Sequence, residues 1–99
     1  MSSSPAASAL QIHEQDNVAV MTAGGQKGQP CLVQHLGRSQ TVVLRADVPF
    51  GHKIAVLAIP QGAPVLKYGT PIGVASADIA AGDHVHVHNV VGLKRHLRG

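Results

Sequence analysis

Three histidines alternate within six residues, His84, His86 and His88 in the stretch HVHVHN at 84–89. In an extended strand, side chains two residues apart share a face. The stretch then reads as an imidazole face, with Val85 and Val87 turned toward a core. Adjacent imidazoles of this kind can converge on one divalent ion. Imidazole also titrates near neutral pH, which suits proton transfer. The plainer reading is a half-buried strand whose wet face carries histidine, and spacing alone does not choose between them. No Cys or Glu completes a zinc pattern. Asn89 offers an amide to a substrate hydroxyl, or ends the strand.

Two further groups could carry chemistry. In FGHKIAVLAI (50–59), His52 and Lys53 follow a glycine and precede an apolar run. That places them at a sheet rim, where Lys53 can hold a carboxylate as a point charge or simply be solvated beside a turn. In VLKYGTPIG (65–73), Lys67 and Tyr68 stand before a Gly-Pro turn. They suit a polyhydroxy acid, through charge and phenol, or Tyr68 covers a small core with its hydroxyl in water. Other chemistries lack their parts. GGQKG has no phosphate-loop context, no serine sits in a nucleophile elbow, and no carboxylate pair is placed for glycosidic acid–base work. A complete active site on this chain alone is not expected.

The elements that must position these residues are short strands. Runs rich in Val and Ile fall at 17–21, 41–45, 52–59, 64–68, 72–77 and 84–91, in a chain punctuated at short intervals by Gly and Pro. This pattern predicts an all-β domain. SALQIHEQ (8–15) has room for one helical turn, and TAGGQKGQP (22–30) reads as a loop. A weak repeat links VPFGHKI, IPQGAPV and IAAGDHV: apolar, two residues, Gly, two residues, apolar. Gly51, Gly62 and Gly82 are each expected at positive φ in a turn that opens a strand.

Composition sets the outer bounds. Ninety-nine residues make one small domain. With one Tyr, one Phe and no Trp, single-stranded nucleic acid finds almost no stacking platform. The net charge of +3 comes from Lys94, Arg95 and Arg98, since the rest of the chain is formally neutral. A lone cysteine, Cys31, forms no internal disulfide and fits a reducing compartment. The start has no signal-peptide pattern and no run approaches a membrane span. The expectation is a cytoplasmic domain without nucleic-acid or membrane partners. It has a disordered head at 1–9, a folded body at 10–91 and a basic tail at 92–99.

Taken together, DNVAV (16–20) and VPFGHKIAVLAIPQGAPVLKYGTPIGVASADIAAGDHVHVHNV (48–90) resemble the SAF-type small domain of the altronate dehydratase family. That family also includes galactarate dehydratase and sulfolactate sulfo-lyase. The resemblance covers roughly residues 11–90. It implies a β-clip fold and a module that works with a large catalytic chain or region. With the chain ending soon after HNV, it points to a detached small subunit of a hydroxy-acid lyase, with an altronate-type sugar acid as substrate. The sulfo-lyase is the alternative within the class, and a non-catalytic binding module the alternative outside it. The resemblance also implies a divalent metal, Fe2+ or Mn2+, shared with the large subunit. Carried over by position, His52, His86 and His88 are the catalytic candidates, with His86 and His88 also the metal candidates. Lys53, Lys67, Tyr68 and Asn89 are the substrate-binding candidates. His84 fits the motif but lies next to the turn. A homo-oligomer is the other partner expectation. Cys31, His35 and Arg38 inherit no role.

Overall fold

The computed structural model describes residues 7–92. Among them are nine strands and no helix, so the expected all-β class holds. Ala7–Leu10 (β1), Val18–Met21 (β2), Pro30–His35 (β3), Arg38–Val43 (β4), Lys53–Ala55 (β5) and His84–Val85 (β8) form one sheet in the order β4-β3-β1-β2-β5-β8. Pro64–Lys67 (β6), Thr70–Ala75 (β7) and Val90–Gly92 (β9) form a second, in the order β6-β7-β9.

The repeat seen in the sequence belongs to a larger duplication. In the first copy a turn over 26–29 opens β3, a two-residue turn at Leu36–Gly37 joins β3 to β4, and the chain bridges back from Val48 to Gly25. A turn over 49–52 then opens β5. The second copy repeats each step: a turn over 60–63, the β6–β7 hairpin through Tyr68–Gly69, the bridge from Ile79 to Ile59, and a turn over 80–83 into β8. Even a side-chain contact recurs. The Asp47 carboxylate accepts from Lys27 N–H, and the Asp78 carboxylate accepts from Gln61 N–H, each at 2.8 Å. The turn glycines Gly51 and Gly82 sit at φ 82° and 91°, conformations that a Cβ would strain. These two turns deliver His52–Lys53 and His84 to adjacent strands.

Packing uses aliphatic side chains throughout. β5 is buried on both faces: Ile54, with Val56 just past the strand, joins one cluster with Met21, Val33 and Leu44, while Ala55 joins another with Ile59, Val65 and Val85. Burial of each such Val, Leu or Ile contributes roughly 1.5–3 kcal/mol. A strand buried on both sides has little freedom to slip register, because slipping exchanges large and small side chains between two filled cores.

Several expectations are corrected. Residues 7–9 are paired in β1 rather than part of a disordered head, since Ala7 and Ala9 are buried and β1 runs parallel to β3. The possible helical turn at 8–15 is β1 followed by a bend. β3 lies in a segment without a strand assignment from sequence, and β4 begins three residues earlier than the 41–45 run. The expected strand at 84–91 breaks after Val85, turns over 86–89, and resumes as β9. Residues 1–6 and 93–99, with most of the basic tail, lie outside the described residues.

Candidate functional site

Because the strand breaks, His84, His86 and His88 do not share a face through alternation. Val85 is fully buried as expected, but Val87 is 83% exposed at the turn apex. The imidazoles meet instead because the turn folds them back toward His52. His52 Nδ1 lies 2.9 Å from His84 Nε2. The His52 and His86 rings stack with centroids 4.4 Å apart, and the His84 and His86 rings are 5.5 Å apart. His88 is exposed, its ring 5.3 Å from that of His84.

Asn89 organises this turn. Its N–H donates to His86 O, its Oδ1 accepts from His86 N–H, and its Nδ2 donates to His84 O. The amide expected to meet substrate is engaged with the backbone of the two residues that carry imidazoles.

The two lysines also come together. Lys53 begins β5 beside the imidazoles, and its ammonium is held below the usual lysine range by partial burial and by the charge of Lys67. The Lys67 ammonium lies 4.9 Å from the Tyr68 ring centroid, a cation–π arrangement. Tyr68 itself is 61% exposed at φ 58°. Partial burial, followed by the charge of His52, pushes His84 below the ordinary imidazole range, with His88, His86 and Lys53 adding to the effect. His86 is lowered in the same way, by desolvation, His52, Lys53 and His88. Every neighbour that lowers these two groups is a potential cation, so His84 and His86 favour the neutral form and the rim welcomes an anion.

Sequence reasoning missed the residues that hold the lysine turn. Asp16 is 2% exposed. Its carboxylate accepts from Tyr68 N–H and Gly69 N–H at 3.0 and 2.7 Å, and from His13 N–H at 3.1 Å. Asn17 bridges to β6, donating to Pro64 O and accepting from Leu66 N–H. The available signal was the Asp-Asn pair just ahead of an apolar strand, a pair whose side chains commonly bond to nearby backbone.

The imidazoles fit a divalent ion. One nitrogen from each of His52, His84 and His86 lies within 4.8 Å of the others. Nitrogens bound ~2.1 Å from one ion lie about 3.4 Å apart in tetrahedral geometry, so the widest pair must close by up to about 1.5 Å, which ring rotation can supply. The set differs from the expected pair of His86 and His88: His52 and His84 join His86, and His88 stands outside.

A family model for the altronate/galactarate dehydratase SAF domain matches residues 7–93. The chain belongs to that family. The SAF domain is 54% identical over 80 residues to altronate dehydratase of Escherichia coli, a match covering 81% of this chain and 15% of that protein. It is 39% identical over 59 residues to (2R)-sulfolactate sulfo-lyase subunit alpha of Paracoccus pantotrophus, covering 60% of this chain and 88% of that one. Galactarate dehydratase of E. coli is 32% identical over 88 residues, with 88% of this chain and 16% of that protein covered. The SAF domain thus spans about one seventh of the dehydratases it matches. Among its described residues, no helix is long and apolar enough to cross a membrane.

Proposed function

We propose that this SAF domain is the small subunit of a hydroxy-acid lyase, acting with a separate large catalytic subunit on an altronate-type sugar acid. The observation that carries the reading is the gathering of His52, His84 and His86 with Lys53 and Lys67 at one rim. The 54% identity to an altronate dehydratase supports the choice of substrate class. The lone buried thiol of Cys31 is in keeping with a cytoplasmic setting.

The chemistry follows from the groups present. Dehydration of a 2,3-dihydroxy acid removes the proton α to the carboxylate and the β-hydroxyl, leaving an enol that becomes a 2-keto-3-deoxy acid. Lys53 and Lys67 bind the carboxylate, and an anion between them relieves their mutual repulsion. His52, His84 and His86 are the residues to hold Fe2+ or Mn2+, which supplies Lewis-acid stabilisation of the developing negative charge. His88, exposed beside His84, is placed to exchange a proton with substrate. Tyr68 presents its phenol beside Lys67 to a substrate hydroxyl. The large subunit completes the pocket.

The test is reconstitution with the large subunit, assayed against aldonates, aldarates and sulfolactate with ferrous or manganous ion. Metal-dependent loss of water from an aldonate, abolished by His86→Ala, is the expected result. Full activity in a His52→Ala, His86→Ala double variant would refute the site.

A second reading has its own support. The match covers 88% of the sulfo-lyase subunit alpha, against 15% of the altronate dehydratase. Sulfite release from sulfolactate, without turnover of sugar acids, would select it.

A further inference from the structure

We infer that Asn89 is a positioning residue, which sets the spacing of the imidazoles by joining the second sheet to the histidine turn. The inference rests on the proposed metal role of His52, His84 and His86, and it replaces substrate contact as the task of Asn89.

The argument is one of connectivity. Val90, the next residue, pairs with Ala75 in β7, and Asn89 O accepts from Ser76 N–H at 2.9 Å. The Asn89 backbone is therefore fixed by the second sheet. From this anchor its side chain reaches back to the first sheet, donating to His84 O and accepting from His86 N–H, both at 2.9 Å. Its own N–H closes the turn on His86 O at 3.1 Å. Three hydrogen bonds thus converge on His84 in β8 and His86 in the turn, the two residues whose rings face His52.

Nothing else on the turn does this work. Val87 projects into solvent at the apex, and β8 is only two residues long, so β-pairing ends before His86. Without the Asn89 amide, His86 N–H and His84 O lose their partners. Both belong to half-buried residues, and the turn is then free to open away from His52. An amide is suited to the position because it both donates and accepts. Aspartate keeps the acceptor for His86 N–H but has no donor for His84 O.

Metal sites depend on such supporting contacts, whose loss typically weakens binding by about 10–100-fold. The experiment titrates cobalt(II) ion alone into the purified chain, by calorimetry and visible absorption. Asn89→Ala is expected to weaken binding by roughly 10–100-fold, with Asn89→Asp also weakened. Val87→Ala, in the same turn, is expected to leave affinity unchanged. NMR of the chelator-treated protein supplies a readout that needs no metal: ring-to-ring NOEs between His52 and His86, present in the wild type, are lost in Asn89→Ala while core methyl shifts stay in place.

Cobalt affinity in Asn89→Ala within twofold of the wild type, or retention of the His52–His86 NOEs, would overturn the inference. A wild type that binds no cobalt removes the metal reading but not the positioning claim, which the NOEs then decide. Core shifts that collapse in Asn89→Ala show a general structural role and also overturn it.

Discussion

His52 Nδ1 and His84 Nε2 share a hydrogen bond of 2.9 Å between residues 32 positions apart. One of the two nitrogens must accept, so the contact requires at least one neutral ring. It is made possible by the duplication, which brings the strand openings after Gly51 and Gly82 side by side as β5 and β8.

This contact leads to a prediction about pH. His84 and His86 are held below the ordinary imidazole range by burial and by cationic neighbours, Lys53 among them. In chelator-treated protein, their ring protons should titrate with midpoints below ~6.5. Lys53→Met should raise both midpoints. The sign for stability follows: above that pH both states are neutral and stability is full. As pH falls, the unfolded chain takes up protons that the fold resists, so stability declines until the folded-state midpoints are passed. Partial exposure keeps the effect small. Midpoints at or above the ordinary value would contradict the crowded arrangement.

The lysine pair gives a second prediction. If Lys53 and Lys67 hold the substrate carboxylate in ground and transition state alike, replacing either with Met raises KM more than it lowers kcat. A charge-assisted hydrogen bond is worth about 1.5–3 kcal/mol, so a rise of roughly tenfold or more in KM is expected from steady-state kinetics of the reconstituted enzyme. An unchanged KM would place the carboxylate elsewhere.

Asp16 should matter for stability before it matters for chemistry. Its buried carboxylate satisfies three N–H groups, two of them in the Tyr68–Gly69 turn. Asp16→Ala leaves these donors unpaired and should cost about 3 kcal/mol, read from the urea midpoint at constant slope. Asp16→Asn retains acceptor capacity and should cost less. A loss below about 0.5 kcal/mol for the alanine variant would place it in the range of neutral surface substitutions.

What could be read from the sequence was whatever local pattern controls. The turns at Gly51, Gly62 and Gly82 were visible because each needs positive φ and each precedes an apolar run. The grouping of His52 with the later histidines came from resemblance and was not visible in spacing, because contact across 32 residues depends on strand pairing. Val87 shows where alternation fails: a half-buried strand and a strand–turn–strand can carry the same HVHVHN pattern, and the Asn89 side chain favours the turn. β3 was hidden because Pro30, Gln34 and His35 interrupt its apolar character, while Cys31 and Val33 still reach the core. Asp16 was not singled out, since two of its three partners are backbone N–H groups more than 50 positions away.

The duplication permits a comparison between two equivalent turns. Leu36 and Tyr68 occupy the same place in the two hairpins, and both hold positive φ, 45° and 58°. For side chains with a Cβ this conformation costs about 1–2 kcal/mol, and asparagine tolerates it better. Leu36 is 88% exposed, so Leu36→Asn should stabilise the fold by about 0.5–1 kcal/mol and leave kinetics unchanged. Tyr68→Asn should relieve similar strain while removing the ring beneath the Lys67 ammonium. That variant is expected to be at least as stable as the wild type yet to show a higher KM. Strain retained where it serves binding, and dispensable at the equivalent turn, is the pattern a functional Tyr68 requires. Unchanged KM in Tyr68→Asn would make the tyrosine a bystander and leave the site to histidine and lysine.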